Sequence, residues 1–62
     1  MTYQKEFIEL MDYWRASGLA QGEWQKAMYH HAKWMQRQYF KSLDRDREHR
    51  WTEVANACLK QL

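Results

Sequence analysis

The sequence contains no proline, only two glycines and a single cysteine among its 62 residues. Without proline, nothing in the chain forbids long helices. Ile8 and Val54 are the only isoleucine and valine, so signals for β-strands are nearly absent. The single cysteine, Cys58, excludes a disulfide within the chain. No run of about 18 apolar residues is present, so no membrane span is predicted. The composition therefore predicts an all-α protein.

Aromatic residues, by contrast, are abundant: four tryptophans, four tyrosines and two phenylalanines. A domain of this length buries only ~60% of its unfolded surface and is marginally stable alone. Since neither a disulfide nor a cluster of metal ligands is available, dense aromatic packing or self-association must supply the stability. The aromatic residues are spread over three helical faces, which a single short chain would struggle to cover. We therefore expect an intertwined homodimer.

Helical periodicity divides the chain into two or three amphipathic helices within one small domain. The predicted helices span about residues 3–17, 22–43 and 45–60. Thr2 fits the N-cap of the first helix, and Gly18 can end that helix in the left-handed conformation. Either Asp44 or Asp46 fits the N-cap of the third helix.

Whether the second and third helices are continuous depends on helical phase. No glycine or proline lies between Leu43 and Arg50, so one helix of about 40 residues would also fit. Trp51, however, follows Trp24 by 27 residues, which is about 180° around the same helix. A straight helix would need a partner on each side, whereas a bend lets both apolar stripes enter one core. We predict a bend at residues 43–46.

Large apolar residues recur at steps of three and four along each predicted helix. The expected core or dimer anchors are Phe7, Leu10, Trp14, Trp24, Met28, Met35 and Trp51. On the third helix, the same face continues through Val54, Ala55, Cys58 and Leu62. We expect these faces to form the core and the dimer contact.

The second helix carries all of the excess positive charge. Residues 19–43 hold four lysine and arginine side chains against one acidic residue, while the whole chain is only +2. Such a stripe is typical of a solvated face, but it can also bind an acidic protein or the phosphates of DNA. Two aromatic residues lie on its margin, well away from Trp24. The candidate partner-binding residues are Tyr29, Lys33, Arg37, Phe40 and Lys41.

No arrangement of side chains indicates catalysis, a cofactor or a metal. His30 and His31 point about 100° apart on a helix and cannot share one ion, so a partly buried His31 is the expectation. His49 and Glu53 have a compatible spacing but no third ligand, which predicts an exposed helix pair. Cys58 has no basic neighbour one turn away, which favours an inert buried thiol. We therefore expect a protein that is not an enzyme.

Three segments carry a resemblance to a known group of proteins: the start MTYQKEFIELMDYW, the helix WQKAMYHHAKWMQRQYF and the ending WTEVANACLKQL. Together they resemble the very small, Trp-rich early proteins of lambda-like temperate phages, encoded between the exonuclease and excisionase genes. The resemblance implies a dimeric early protein that favours lytic over lysogenic development by binding a host or phage factor. It also leaves open whether a short strand replaces the turn at residues 17–22.

These observations predict a small regulatory protein that acts by protein–protein interaction. The absence of an apolar leader and the lone cysteine favour the cytoplasm, that of the host if the protein is phage-encoded, without a membrane partner. The alternative function is that of a small basic DNA-binding protein that uses the lysine and arginine stripe. The identity of the partner and the geometry of the dimer stay open at this point.

Overall fold

A computed structural model describes residues 4–62 as three helices joined by short turns. The helices are α1 (Lys5–Arg15), α2 (Gln21–Lys41) and α3 (Arg45–Leu59). The all-α prediction is confirmed, and residues 16–20 form a turn and irregular backbone instead of a strand. The predicted cap at Thr2 and the predicted helix start at Tyr3 lie outside the described residues. Within residues 4–62, no helix is long and apolar enough to cross a membrane.

The turn between α1 and α2 depends on Gly18 and Ser17. Gly18 has a φ of +88°, as expected for a glycine that ends a helix in the left-handed region. The Ser17 hydroxyl donates to the Trp14 carbonyl oxygen at 2.6 Å and accepts the Leu19 N–H at 3.4 Å. Ser17 therefore closes α1, while α2 starts after Ala20 without a side-chain cap.

The break between α2 and α3 is also confirmed, and it is a complete Schellman motif. The Leu43 N–H donates to the Phe40 carbonyl oxygen at 3.1 Å, and the Asp44 N–H donates to that of Tyr39 at 3.0 Å. The residue in the left-handed position is Leu43, with a φ of +61°. Asp44 then caps α3, because its Oδ1 accepts the Arg47 N–H at 3.2 Å.

All three helices contribute to one core. Its buried members are Phe7, Leu10, Met28, Ala32, Val54, Ala55 and Cys58. Trp14, Trp24 and Trp51 are partly buried against this cluster. Met35 is only half-buried and lies outside the core, because α3 packs nearer to the side of α2 that carries Ala32 than the helical pattern indicated. Met35 as a dimer contact stays a prediction. Leu62 is exposed because it lies beyond the end of α3 at Leu59, so the predicted face of the third helix is corrected there.

The core of a single chain already covers several residues that the sequence analysis assigned to a dimer contact. The predicted anchors Phe7, Leu10 and Met28 are buried by the helices of one chain, and three of the tryptophans pack around them. A second copy is therefore not needed to cover these three anchors, whereas Tyr13, Trp34 and Phe40 stay mostly exposed. The homodimer itself stays a prediction, and it would have to use other surfaces.

Polar contacts hold α1 against α2 and α3 at its two ends. The Glu6 carboxylate pairs with the Arg50 guanidinium of α3. Just before α1, the Gln4 amide donates to the Glu53 carboxylate at 2.6 Å. At the other end of α1, the Trp14 indole N–H donates to Nδ1 of His31 at 3.2 Å. His31 is thus partly buried beside the core, as the sequence predicted.

Cys58 lies in the centre of the core with 1% of its surface exposed. Burial raises the pKa of its thiol from the ordinary 9.0 to about 11, because the desolvated thiolate is disfavoured more than a backbone hydrogen bond can offset. A thiol with so high a pKa is a poor nucleophile at neutral pH. Cys58 is therefore a packing residue.

The raised pKa of Cys58 predicts a loss of stability in alkali. Below pH 9 the thiol is protonated in both states, but between pH 9 and pH 11 the unfolded chain releases the proton first. Two pKa units correspond to a decrease of about 3 kcal/mol in the free energy of unfolding across this range. Urea titrations at several pH values should show this decrease in the wild type. Cys58→Ala should lack this part of the decrease, and equal decreases in both proteins would contradict the prediction.

Candidate interaction surface

The outer face of α2 carries positively charged side chains without acidic residues among them. Its basic residues all point away from Met28 and Ala32, which face the core, because helical spacing places them on the opposite side. The exposed members of this basic face are Lys26, His30, Lys33, Arg37 and Lys41. The stripe that the sequence predicted is therefore exposed over most of the length of α2.

Within the described part of the chain, the lysines and arginines of the basic face lack acidic neighbours, unlike three of the six other lysines and arginines. Lys5 pairs with Glu9, Arg47 with Asp44, and Arg50 with Glu6. Among residues 4–62, by contrast, no carboxylate lies within ion-pair distance of the four lysine and arginine side chains of the basic face. Glu23, in the first turn, is the single acidic residue of α2. The basic face therefore presents uncompensated positive charge to solvent.

The two aromatic residues predicted at the margin of the stripe have different environments. Tyr29 is partly buried and packs against the core, with its ring 5.5 Å from that of His30. Phe40 leaves 66% of its surface exposed. Tyr29 thus contributes to the core, and Phe40 is the one of the pair that offers a large apolar surface to a partner.

Two further exposed apolar residues border the basic face, and the sequence analysis did not single them out. Trp34 is 57% exposed and Leu43 is 85% exposed. Trp34 lies about 80° from Trp24 around the helix, outside the apolar stripe, and this angle could have identified it. Leu43 could not be identified in this way, because its exposure depends on the turn that follows α2.

Phe40 stands between two depressions of the surface. The larger has a volume of about 520 Å³ and is lined by Tyr39, Phe40, Leu43, Asp44, Arg45, Glu48 and His49. The smaller, of about 190 Å³, is lined by Lys33, Gln36, Arg37 and Phe40. Oε1 of Gln36 is buried and has no hydrogen-bond partner within the described part of the chain. An apolar ridge with cations on one side and a groove on the other is suited to binding an acidic, partly apolar chain.

The predicted pair of His49 and Glu53 lies at the surface of α3. His49 Nε2 is 3.4 Å from the Glu53 carboxylate, and both side chains are mostly exposed. Across residues 4–62, no three side chains of the types that ligate metals lie close enough together to hold an ion. The arrangement can therefore be described as a solvated helix pair.

The chemistry of this surface is that of binding: unpaired cations, exposed aromatic and aliphatic side chains, and a shallow groove. Phe40 brings the cations and the groove together, since it borders both depressions. Neither a protein-family model, a curated protein nor a solved structure matches this chain.

Proposed function

We propose that this protein is a non-enzymatic regulatory protein that binds an acidic protein partner through the basic face of α2. One observation carries the proposal: the lysines and arginines of this face lack ion-pair partners within residues 4–62, and an exposed Phe40 lies among them. A surface kept only for solubility gains nothing from an exposed phenylalanine. Charged and aromatic groups side by side are typical of protein interfaces.

The two kinds of side chain have different tasks in this proposal. Lys33, Arg37 and Lys41 attract the acidic partner and increase the association rate, an effect that weakens as salt screens the charges. Phe40 supplies affinity, because burying its ring in the complex removes apolar surface from water. The partner should therefore present carboxylates around an apolar contact.

The resemblance to phage early proteins supports a partner among host or phage factors, with lytic development as the process regulated. A dimer that joins two basic faces is disfavoured by repulsion between like charges. Within the chain, Glu6 and Glu9 of α1 pair with Arg50 and Lys5, and Asp44, which caps α3, pairs with Arg47. An acidic surface on another protein therefore suits α2 better than a second copy of its own basic face.

DNA binding is the alternative function, and Trp34 is the observation that favours it. An exposed tryptophan beside unpaired cations could stack on a base while the lysines contact phosphates. Binding of this kind would lose affinity steeply with salt, because each phosphate contact releases a counterion. The net charge of only +2 is low for a dedicated nucleic-acid-binding protein.

Reversing two charges on the basic face should separate the two functions. The double variant Lys33→Glu with Arg37→Glu should slow association with a protein partner by about tenfold and leave dissociation nearly unchanged. The same variant should abolish DNA binding, since phosphate contacts supply its affinity. The partner is first captured from bacterial lysate with and without nuclease, identified by mass spectrometry, and then measured by surface plasmon resonance. DNA binding is measured by fluorescence anisotropy on a labelled duplex.

A matched control is the double variant Lys5→Glu with Lys60→Glu, which changes the net charge equally at exposed positions outside α2. It should associate with the partner at a rate close to that of the wild type. Equal slowing by both double variants would show that net charge, and not the basic face, governs binding. Loss of all captured protein on nuclease treatment would overturn the proposal in favour of DNA.

A further inference from the structure

Leu43 is in a conformation and an environment that leucine does not favour. Its φ of +61° lies in the left-handed region, where a Cβ atom crowds the backbone and glycine is the usual residue. Its side chain is 85% exposed, so packing within the chain does not compensate for the strain. Leucine at this position is therefore unfavourable for stability on two counts, and strain of this kind is concentrated at functional sites.

The strained residue lies beside Phe40 and the larger groove. The Leu43 N–H donates to the Phe40 carbonyl oxygen at 3.1 Å, so the turn holds the two residues together at the end of α2. Both line the larger groove together with Tyr39, which directly precedes Phe40 in the sequence. The ring of Tyr39 is in turn covered by the Arg47 guanidinium, 5.7 Å from its centroid. The turn thus presents two apolar side chains from a rigid base.

The charges around this turn select for an acidic ligand. Asp44 lies in the groove, but its carboxylate caps α3 and pairs with Arg47, so it is already compensated. Arg45 lines the groove and Arg37 lines the depression on the other side of Phe40, and neither has an ion-pair partner among residues 4–62. Glu48 also lines the groove and offsets Arg45 there, so the uncompensated positive charge lies on the Arg37 side of Phe40.

We propose that Phe40 and Leu43 are the apolar anchors of the interface, and that their partner is an acidic peptide segment. One large apolar side chain of that segment occupies the groove beside Leu43, and its carboxylates reach Arg37 and Lys41. This inference rests on the proposed function, since it names the chemistry of the partner for the same basic face. Because the groove carries the carboxylates of Asp44 and Glu48, it receives the apolar side chain of the peptide, while the peptide's carboxylates bind outside the groove, on the side of Phe40 that carries Arg37.

The test uses a yeast-displayed library of random linear peptides, selected against the wild-type protein. Selected peptides should be rich in Asp and Glu and carry Leu, Phe or Trp. Leu43→Gly and Phe40→Ala should each raise the Kd of a selected peptide by about tenfold or more. The controls are Tyr13→Ala, which removes a ring as exposed as that of Phe40, and Leu62→Gly, which removes another exposed leucine, and both should leave the Kd unchanged.

A stability measurement separates an anchor from a structural residue. Because glycine relieves the left-handed strain, Leu43→Gly should raise the Tm by roughly 4 °C while it weakens peptide binding. A lower Tm together with weaker binding would assign Leu43 to the fold and overturn the inference. Selected peptides without acidic residues would overturn it as well.

The same selection distinguishes this inference from the proposed function. Acidic peptides could bind and lose affinity with Lys33→Glu and Arg37→Glu, but not with Leu43→Gly or Phe40→Ala. In that case the assignment of Phe40 and Leu43 as anchors is wrong, and the proposed binding of an acidic partner by the basic face is supported. If no acidic peptide is enriched and reversing the charges has no effect, both proposals fail.

Discussion

Replacing Phe7 with alanine should decrease the free energy of unfolding by about 3–5 kcal/mol, the range found for truncating a buried phenylalanine. Phe7 has 1% of its surface exposed and is the largest buried residue of α1. Leu10 is the other buried residue of α1, so the loss leaves Leu10 with the partly buried Met11 and Trp14 to hold this helix against the core. A chain of 62 residues has a total stability of roughly 3–9 kcal/mol. The variant should therefore be largely unfolded, or should at least lose the docking of α1.

Urea denaturation followed by circular dichroism and by tryptophan fluorescence measures this effect. Ile8→Ala is the matched control, because Ile8 neighbours Phe7 on α1 and is 43% exposed. Ile8→Ala should decrease the free energy of unfolding by well under half as much as Phe7→Ala. If both variants lost less than about 1 kcal/mol, α1 would not depend on Phe7, and the described core would be wrong at this position.

Placing a glutamate at Ala32 should unfold the protein. Ala32 has no exposed surface and belongs to the same core cluster as Val54 and Ala55 of α3. No polar or charged residue is buried anywhere in residues 4–62, so the carboxylate would find neither a cation nor a hydrogen-bond donor prepared for it. Burying an unpaired charge costs several kcal/mol, and the added volume would force α2 and α3 apart. The combined loss should exceed about 3 kcal/mol.

Circular dichroism and one-dimensional NMR spectra would show this unfolding directly. Ala32→Gln separates volume from charge and should be destabilised by less than Ala32→Glu. His30→Glu places a negative charge two residues earlier on the exposed side of α2 and should stay within about 0.5 kcal/mol of the wild type. A folded Ala32→Glu protein with wild-type spectra would mean that Ala32 does not face α3.

Most of the helical architecture follows from local properties of the sequence. The absence of proline, the caps and the change of apolar phase near Leu43 are all properties of short segments, which is why the helices and their breaks could be predicted. Gly18 and Asp44 took their predicted places because few other residues suit a left-handed turn or an N-cap. The basic stripe was predictable for a similar reason, since helical geometry alone places residues 26, 33, 37 and 41 on one side.

The exact core face of α2 was not predictable from that geometry. The pattern placed Trp24, Met28 and Met35 on the core face, whereas Met28 and the unpredicted Ala32 are the residues that become fully buried. The difference is a rotation of about 40°, and it arises because α2 must meet α1 and α3 together. Ala32 is too small to be recognised as a core residue from the sequence pattern, yet its small size allows α3 to come close to α2.

The same distinction between predictable and unpredictable features applies to the candidate interaction surface. The amino-acid sequence determined the charge of α2, its aromatic margins and the need for a bend near residues 43–46, because these depend on composition and periodicity. Only the tertiary structure decided that Tyr29 joins the core while Phe40 stays exposed, and that Leu43 ends in the left-handed region beside a groove. Exposure is a property of where neighbouring helices pack, and a helical pattern within one segment contains no information about the helix that will cover it.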